Sequence, residues 1–321
     1  MQTMQLCIIT GSGDSLKNKQ EKSSIRLKNE RKERRLAYAL LLPAILAFAV
    51  FMFWPVIYTV YLSFFKWNMI SPTKTFVGLR NYISIFNSSE FKITVTNTLL
   101  YILLFIVMDV VLPYLIAFIL NFMVKRLKSF YKVAYFVPYL ISLVVGGIIM
   151  SWIWNSVSGP LAAITKSLGM VFPNWTITSG LVIVVIAIVV SWKMFGYNLI
   201  ILVAAIDNVP IELIETARLE NTPQWEVFFK IVLPMTSSTG IYALILSLVW
   251  GLQWSYTPLN VLTAGGPNNL STNMIYEVYE YAFNTFSTGS ASALSVITLI
   301  FFAVLLFLEI KYVEKGVYYE N

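Results

Sequence analysis

Six long runs of mostly apolar residues dominate this chain: 36–65, 94–122, 133–154, 181–206, 241–262 and 293–310. Crossing about 30 Å of hydrocarbon takes roughly 20 such residues in a helix. The runs are continuous and do not alternate apolar with polar, which excludes barrel strands and predicts helices. Pro43 and Pro55 fall inside the first, longest run and allow a kink or an interfacial entry segment there. An all-α integral membrane protein with six transmembrane helices is therefore expected.

Composition agrees. Hydrophobic residues make up 58% of the 321 and charged residues 12%, against roughly 45–50% and about 25% in soluble domains. The chain has no histidine and a single cysteine, Cys7. Histidine acid/base chemistry, histidine metal sites, intrachain disulfides and cysteine zinc sites are all excluded. No catalytic and no metal-binding constellation is expected. Gly11-Ser12-Gly13-Asp14-Ser15 lacks the lysine a phosphate-binding loop needs. If solute moves actively, the energy comes from elsewhere.

The net charge of +7 is a topology signal. Of 23 Lys and Arg, 17 lie in residues 1–35, in the second and fourth connections, and in the tail; five lie in the alternate connections, and Lys193 is inside a run. The positive-inside rule places both termini in the cytoplasm. The expected organisation is a basic cytoplasmic arm over 1–35, held near anionic lipid headgroups, a transmembrane body over 36–312, and a cytoplasmic tail over 313–321. A multi-pass membrane protein, in contact with lipid and not with nucleic acid, follows.

The fourth connection, 207–234, carries most of the functional signal. Asp207 or Asn208 offers a side-chain cap, Pro210 suits a first helical turn, and Glu212 sits near the positive end of the helix dipole. Asn221 tolerates the left-handed conformation that stops a helix, and Pro223 reinforces the stop. A second amphipathic segment runs to Pro234. Two short helices around a tight turn are predicted. Their apolar face (Leu213, Ala217, Phe228 and Phe229) has no evident cover in the chain itself, so it suits a groove on a partner.

These residues resemble a known family. Glu215-Thr216-Ala217, Asn221 and Ile231-Val232-Leu233-Pro234 are similar to the E-A-A…G…I-x-L-P loop of permease subunits in ATP-binding-cassette importers. Phe76-Val77-Gly78-Leu79-Arg80-Asn81-Tyr82, Asn97-Thr98-Leu99-Leu100-Tyr101, Phe136-Val137-Pro138, Val209-Pro210-Ile211-Glu212-Leu213 and Leu262-Thr263-Ala264-Gly265-Gly266-Pro267 resemble the sugar-importing branch. That branch includes maltose, glycerol-phosphate, lactose and raffinose permeases. Thr216 stands where the family has a second alanine, and Glu220-Asn221-Thr222 stands for Asp-Gly-Ala.

The resemblance implies a subunit without enzymatic activity that moves a sugar or oligosaccharide by alternating access. Its implied partners are a second, homologous permease in a heterodimer, two ATPase subunits and an extracytoplasmic solute-binding protein. It implies no cofactor in this chain, with ATP and magnesium bound by the ATPases. Glu212, Glu215, Ala217, Glu220, Asn221, Phe228, Leu233 and Pro234 are the implied coupling residues. The external Gly265-Gly266-Pro267 turn, with Glu277 and Glu280 beyond it, either contacts a solute-binding protein or is merely solvated.

Asp109 and Lys193 are ionisable residues within the runs. Buried charges there cost about 2.5–3.5 kcal/mol on insertion scales and face protein or a water-filled path. They either pair with each other or stand free for solute. By resemblance to the maltose permease cavity segment, Trp192, Lys193, Met194 and Tyr197 line the solute path. Leu248, Leu252 and Ser255 are their expected counterparts in the fifth run, with Trp250, Gln253 and Trp254 as neighbours. Two rivals remain open: an importer of anions such as glycerol phosphate or uronate oligosaccharides, and an ion-coupled secondary transporter working through Asp109.

Overall fold

The computed structural model describes residues 32–124 and 126–312. Cys7, Lys125, Lys315, most of the basic arm and the whole 313–321 tail lie outside these described residues. The chain divides into two units, residues 1–59 and 60–321.

Helix α1, Lys32–Leu62, carries its apolar window unburied, with Trp54 stacked on Tyr58 one turn on. A two-residue antiparallel ladder follows, β1 (Phe65–Lys66) against β2 (Thr75–Phe76). Then come α2 (Arg80–Asn87), α3 (Ser89–Phe122), α4 (Lys128–Leu140), α5 (Leu143–Ile153) and α6 (Pro160–Ser167). The second half holds α7 (Leu181–Asp207), α8 (Ile211–Leu219), α9 (Gln224–Met235) and α10 (Ser237–Leu262). Helix α11 (Met274–Tyr279) continues as a π turn over Glu280–Asn284, and α12 is Thr288–Lys311. Four helices, α1, α3, α7 and α12, are individually long and apolar enough to span a bilayer. Two bent pairs, α4 with α5 and α9 with α10, bring the candidates to six.

Helix α7 is the centre of the second unit, buried along most of its length and packed on α3, α4 and α10. A helix that is apolar all round is expected in such a place. Gly196 lets α4 approach: a β-carbon there would collide with the Tyr135 carbonyl and crowd the Phe136 backbone.

The 133–154 run is not one straight helix. Its two halves meet at 103°, because Ile141 and Ser142 are extended between them. Pro138 sits three residues before the break, and a proline inside a helix removes a donor and crowds the preceding turn.

Prolines also explain three wide turns. The π turns Ala49–Phe53, Val107–Val111 and Phe228–Val232 each end two residues before a proline, respectively Pro55, Pro113 and Pro234. The proline ring clashes with the carbonyl four residues back and supplies no N–H to it; widening the turn relieves the clash.

Two sequence motifs act as clamps. The Asn97 amide donates to the carbonyls of Asn269 (2.9 Å), Leu270 (3.2 Å) and Thr272 (3.0 Å), and the Tyr101 hydroxyl donates to that of Ser271 (2.9 Å). They fix the 265–273 turn on α3. The Asn81 amide likewise donates to the Ser63 (2.7 Å) and Phe65 (3.0 Å) carbonyls, and Tyr82 bonds the Ser63 hydroxyl at 2.6 Å. Buried loop carbonyls need partners of this kind.

Candidate functional site

The break after α4 exposes main-chain carbonyls, and Lys193 of α7 takes them. Its ammonium donates to the Tyr139 carbonyl and, at 2.6 Å, to that of Ile141. A cation at the negative end of a helix is favourable, and orphaned carbonyls there need donors. The same ammonium lies 5.1 Å from the Tyr139 ring centre and 5.6 Å from that of Trp254. Both are within cation–π range.

Four rings continue from that point. Tyr139 stacks on Tyr197 at 5.2 Å and meets Trp254 at 6.1 Å. Tyr197 meets Trp250 at 5.8 Å, and Trp250 stacks on Trp254 at 5.4 Å. All four rings and Lys193 are half-buried. Helices α4, α7 and α10 thus present one continuous aromatic surface with a positive charge at its edge.

Not every expected path residue shares it. Lys193, Tyr197 and Trp254 do. Trp192 is half-buried against Gly146 of α5. Met194, Leu248, Leu252 and Ser255 are buried in the chain's own interior, where Ser255 accepts from the Asn273 amide at 2.6 Å. Asp109 is fully buried, accepts from Ser191 at 3.1 Å, and makes no ion pair with Lys193. The pairing is ruled out by geometry: Ser191 and Lys193 are two positions apart on α7, about 200° around the helix. Tyr139 escaped the sequence reading. Pro138 in a membrane run was the available signal, since it announces orphaned carbonyls next door.

The 207–234 loop is two helical segments about a tight turn, as its residues predict. Asn221 has φ 55°. Thr222 N–H donates to the Ala217 carbonyl at 2.9 Å and Asn221 N–H to that of Arg218 at 3.1 Å, the paired bonds of a Schellman stop. The first segment is not capped by Asp207 or Asn208. Pro210 is the N-cap, without a side-chain bond, and Asp207 instead pairs with Lys132 at 3.5 Å. Thr216 satisfies its hydroxyl on the Glu212 carbonyl at 2.8 Å.

The loop's apolar face is divided, which corrects the expectation that the chain leaves it bare. Ala217 (5% exposed) and Phe228 (7%) are buried against the bundle, Phe228 edge-on to Tyr114 and Phe118. Leu213 and Phe229 stay exposed, as do Leu219 (85%) and Trp225 (62%). Glu212, Glu215, Glu220, Asn221 and Pro234 are also exposed, and Leu233 is half-buried.

Residues 97–317 match the model of the binding-protein-dependent transport system inner membrane component family. The chain belongs to this family. A probable ABC transporter permease protein, YurN, of Bacillus subtilis is 30% identical over 88% of this chain and 97% of its own length. The sn-glycerol-3-phosphate transport system permease protein UgpA of Brucella abortus is 28% identical over 88% and 96%. The fold is shared with a bacterial ABC transporter involved in the import of the acidic polysaccharide alginate. There the TM-score is 0.76 at 20% identity, covering 90% of this chain and 99% of that one. A second structure, of an alginate transporter in complex with alginate pentasaccharide-bound periplasmic protein, gives 0.74 at 21% identity over 88% and 96%.

The permease is thus a multi-pass membrane protein whose relatives are transport subunits. Glu277 of this permease, expected at the surface, is instead buried (6% exposed), with Oε2 lacking a partner. Burial pushes its carboxyl above the ordinary range, and nearby Glu90 pushes the same way. Glu280 is half-buried and accepts from the Asn284 amide at 2.7 Å.

Proposed function

We propose that this permease moves a sugar or oligosaccharide across a prokaryotic cytoplasmic membrane by alternating access, with both termini in the cytoplasm. It pairs with a second, different permease. Two ATPase subunits, which hold ATP and magnesium, grip the 207–234 loop, and a solute-binding protein delivers the solute from outside. The observation that carries the sugar reading is the surface formed by Tyr139, Tyr197, Trp250 and Trp254. Sugar C–H faces stack on aromatic rings while hydroxyls seek polar partners such as exposed Gln253.

In the loop, exposed Leu219 and Trp225 are the contacts offered to the ATPase, and Ala217, Phe228 and Val232 transmit its movement to α3 and α7. An anionic oligosaccharide or glycerol phosphate is the second reading. Its support is Lys193, whose charge meets carbonyl dipoles and no carboxylate. The names of the glycerol-phosphate and alginate relatives point the same way.

The test is uptake by the reconstituted complex from a panel of neutral and anionic oligosaccharides. Uptake of neutral sugars that falls at least tenfold in W250A/W254A supports the first reading. Uptake confined to anions, and lost in Lys193→Met, supports the second. Transport of neither class would sink both.

A further inference from the structure

Asp109 lies in the π turn of α3, fully buried, with Oδ1 lacking any hydrogen-bond partner. Around it stand Ser191 and Asn198, seven residues apart and so on one face of α7, and Ser247 of α10. Asn198 spends its amide donors on the Asp109 carbonyl (2.6 Å) and the Ser247 hydroxyl (2.9 Å), and Ser247 spends its proton on the Ala243 carbonyl (2.7 Å). Asn198 Oδ1 is therefore also buried and unpartnered. Two oxygens of one three-helix cluster lack a donor, and no remaining side-chain proton in the cluster serves them.

No countercharge comes from the elements packed on this turn. Helix α10 carries no Asp, Glu, Lys or Arg. On α7, Lys193 is committed to Tyr139 and Ile141, and Asp207 pairs with Lys132 at the far end. Glu90 and Lys92 of α3 are about 28 and about 25 Å away at 1.5 Å per residue. The hydroxyls of Tyr101 and Tyr114 on α3 are engaged elsewhere, with the Ser271 carbonyl and with Thr236. A bare carboxylate in such a place is the costly state that proteins avoid by neutralisation or by binding a cation.

We propose that Asp109 holds one bound positive charge, a proton or a monovalent metal ion, on Oδ1 within the cluster of Ser191, Asn198 and Ser247. A proton converts Oδ1 into a donor. A metal ion would instead gather the carboxylate with the free Asn198 oxygen. Either lets three spanning helices share a polar contact without a net charge, and the inference is independent of which solute is carried.

The test is the infrared difference spectrum of the assembled transporter in lipid nanodiscs, wild type minus Asp109→Asn, first in sodium-free choline buffer and then with sodium chloride. A carboxylic-acid carbonyl band present only in the wild type and unmoved by sodium supports the proton. A carboxylate band that shifts with sodium, with a sodium-dependent rise in Tm absent from the variant, supports the metal ion. A sodium-insensitive ionised carboxylate overturns the proposal. Should Asp109→Asn fail to assemble, Ser191→Ala keeps the carboxyl and is expected to move the same band; an unmoved spectrum counts against the site.

Discussion

The side-chain amide of Asn198 donates to the main-chain carbonyl of Asp109 at 2.6 Å, and that carbonyl is the one Pro113, four residues on, leaves without its helical donor. A proline in α3 and an asparagine in α7 are thus two halves of one device. Pro113 opens the turn, and Asn198 closes the resulting vacancy from the neighbouring span while reaching Ser247 of a third.

Asn198→Ala is therefore expected to cost about 1–3 kcal/mol, the usual penalty for leaving a buried acceptor unsatisfied. The thermal midpoint of the purified complex checks it. Restoring the donor to α3 with Pro113→Ala in the same chain should recover part of the loss. A midpoint unchanged in the single variant would remove Asn198 from this role.

Lys193→Met removes the donor to two carbonyls at the α4–α5 break while keeping much of the side-chain length. The expected loss is again about 1–3 kcal/mol, and Lys193→Arg should recover part of it because both are cations with several donors. Protease sensitivity of the 139–143 segment reports the effect locally. Equal sensitivity of the Met and Arg variants would mean that the charge does not hold the break.

How much of this was legible beforehand varies by residue. The helical character of the apolar runs was, because a membrane leaves few alternatives, and so was the stop at Asn221. The 103° break was not, since hydropathy at Leu140-Ile141-Ser142 does not register a change of backbone direction. Asp109 and Lys193 look like a pair because they are opposite charges well inside the membrane runs, yet each is met by local polar groups. Periodicity likewise showed that the loop has an apolar side without revealing that Tyr114 and Phe118 cover Phe228.

For the loop, turn geometry and the outward side chains are separable. Asn221→Gly should leave solute-stimulated ATP hydrolysis near wild type. Asn221→Val forces a β-branched residue to φ 55° and costs at least the roughly 1–2 kcal/mol of a left-handed L-residue. Leu219→Ser and Trp225→Ser remove exposed groups, so stability should hold while ATPase copurification falls severalfold. Intact copurification with both serines present would place the docking contacts elsewhere.

Glu277 gives the permease a pH-dependent stability of definite sign. Its carboxyl is raised in the folded state chiefly by burial; Thr94 and Tyr281 beside it offset part of the rise, and Glu90 adds to it. The folded protein therefore binds the proton more tightly than the unfolded chain, whose glutamates titrate near about 4.3. Stability falls as pH rises from that value through the raised folded one, and above both the whole penalty is present. Glu277→Gln, a neutral isostere, should flatten this slope and leave the complex more stable at neutral pH, with little change below pH 4. Thermal midpoints of the two proteins across an acid-to-neutral series measure it. Parallel curves, or a variant less stable at neutral pH, would show that the buried carboxylate is held ionised by a favourable contact.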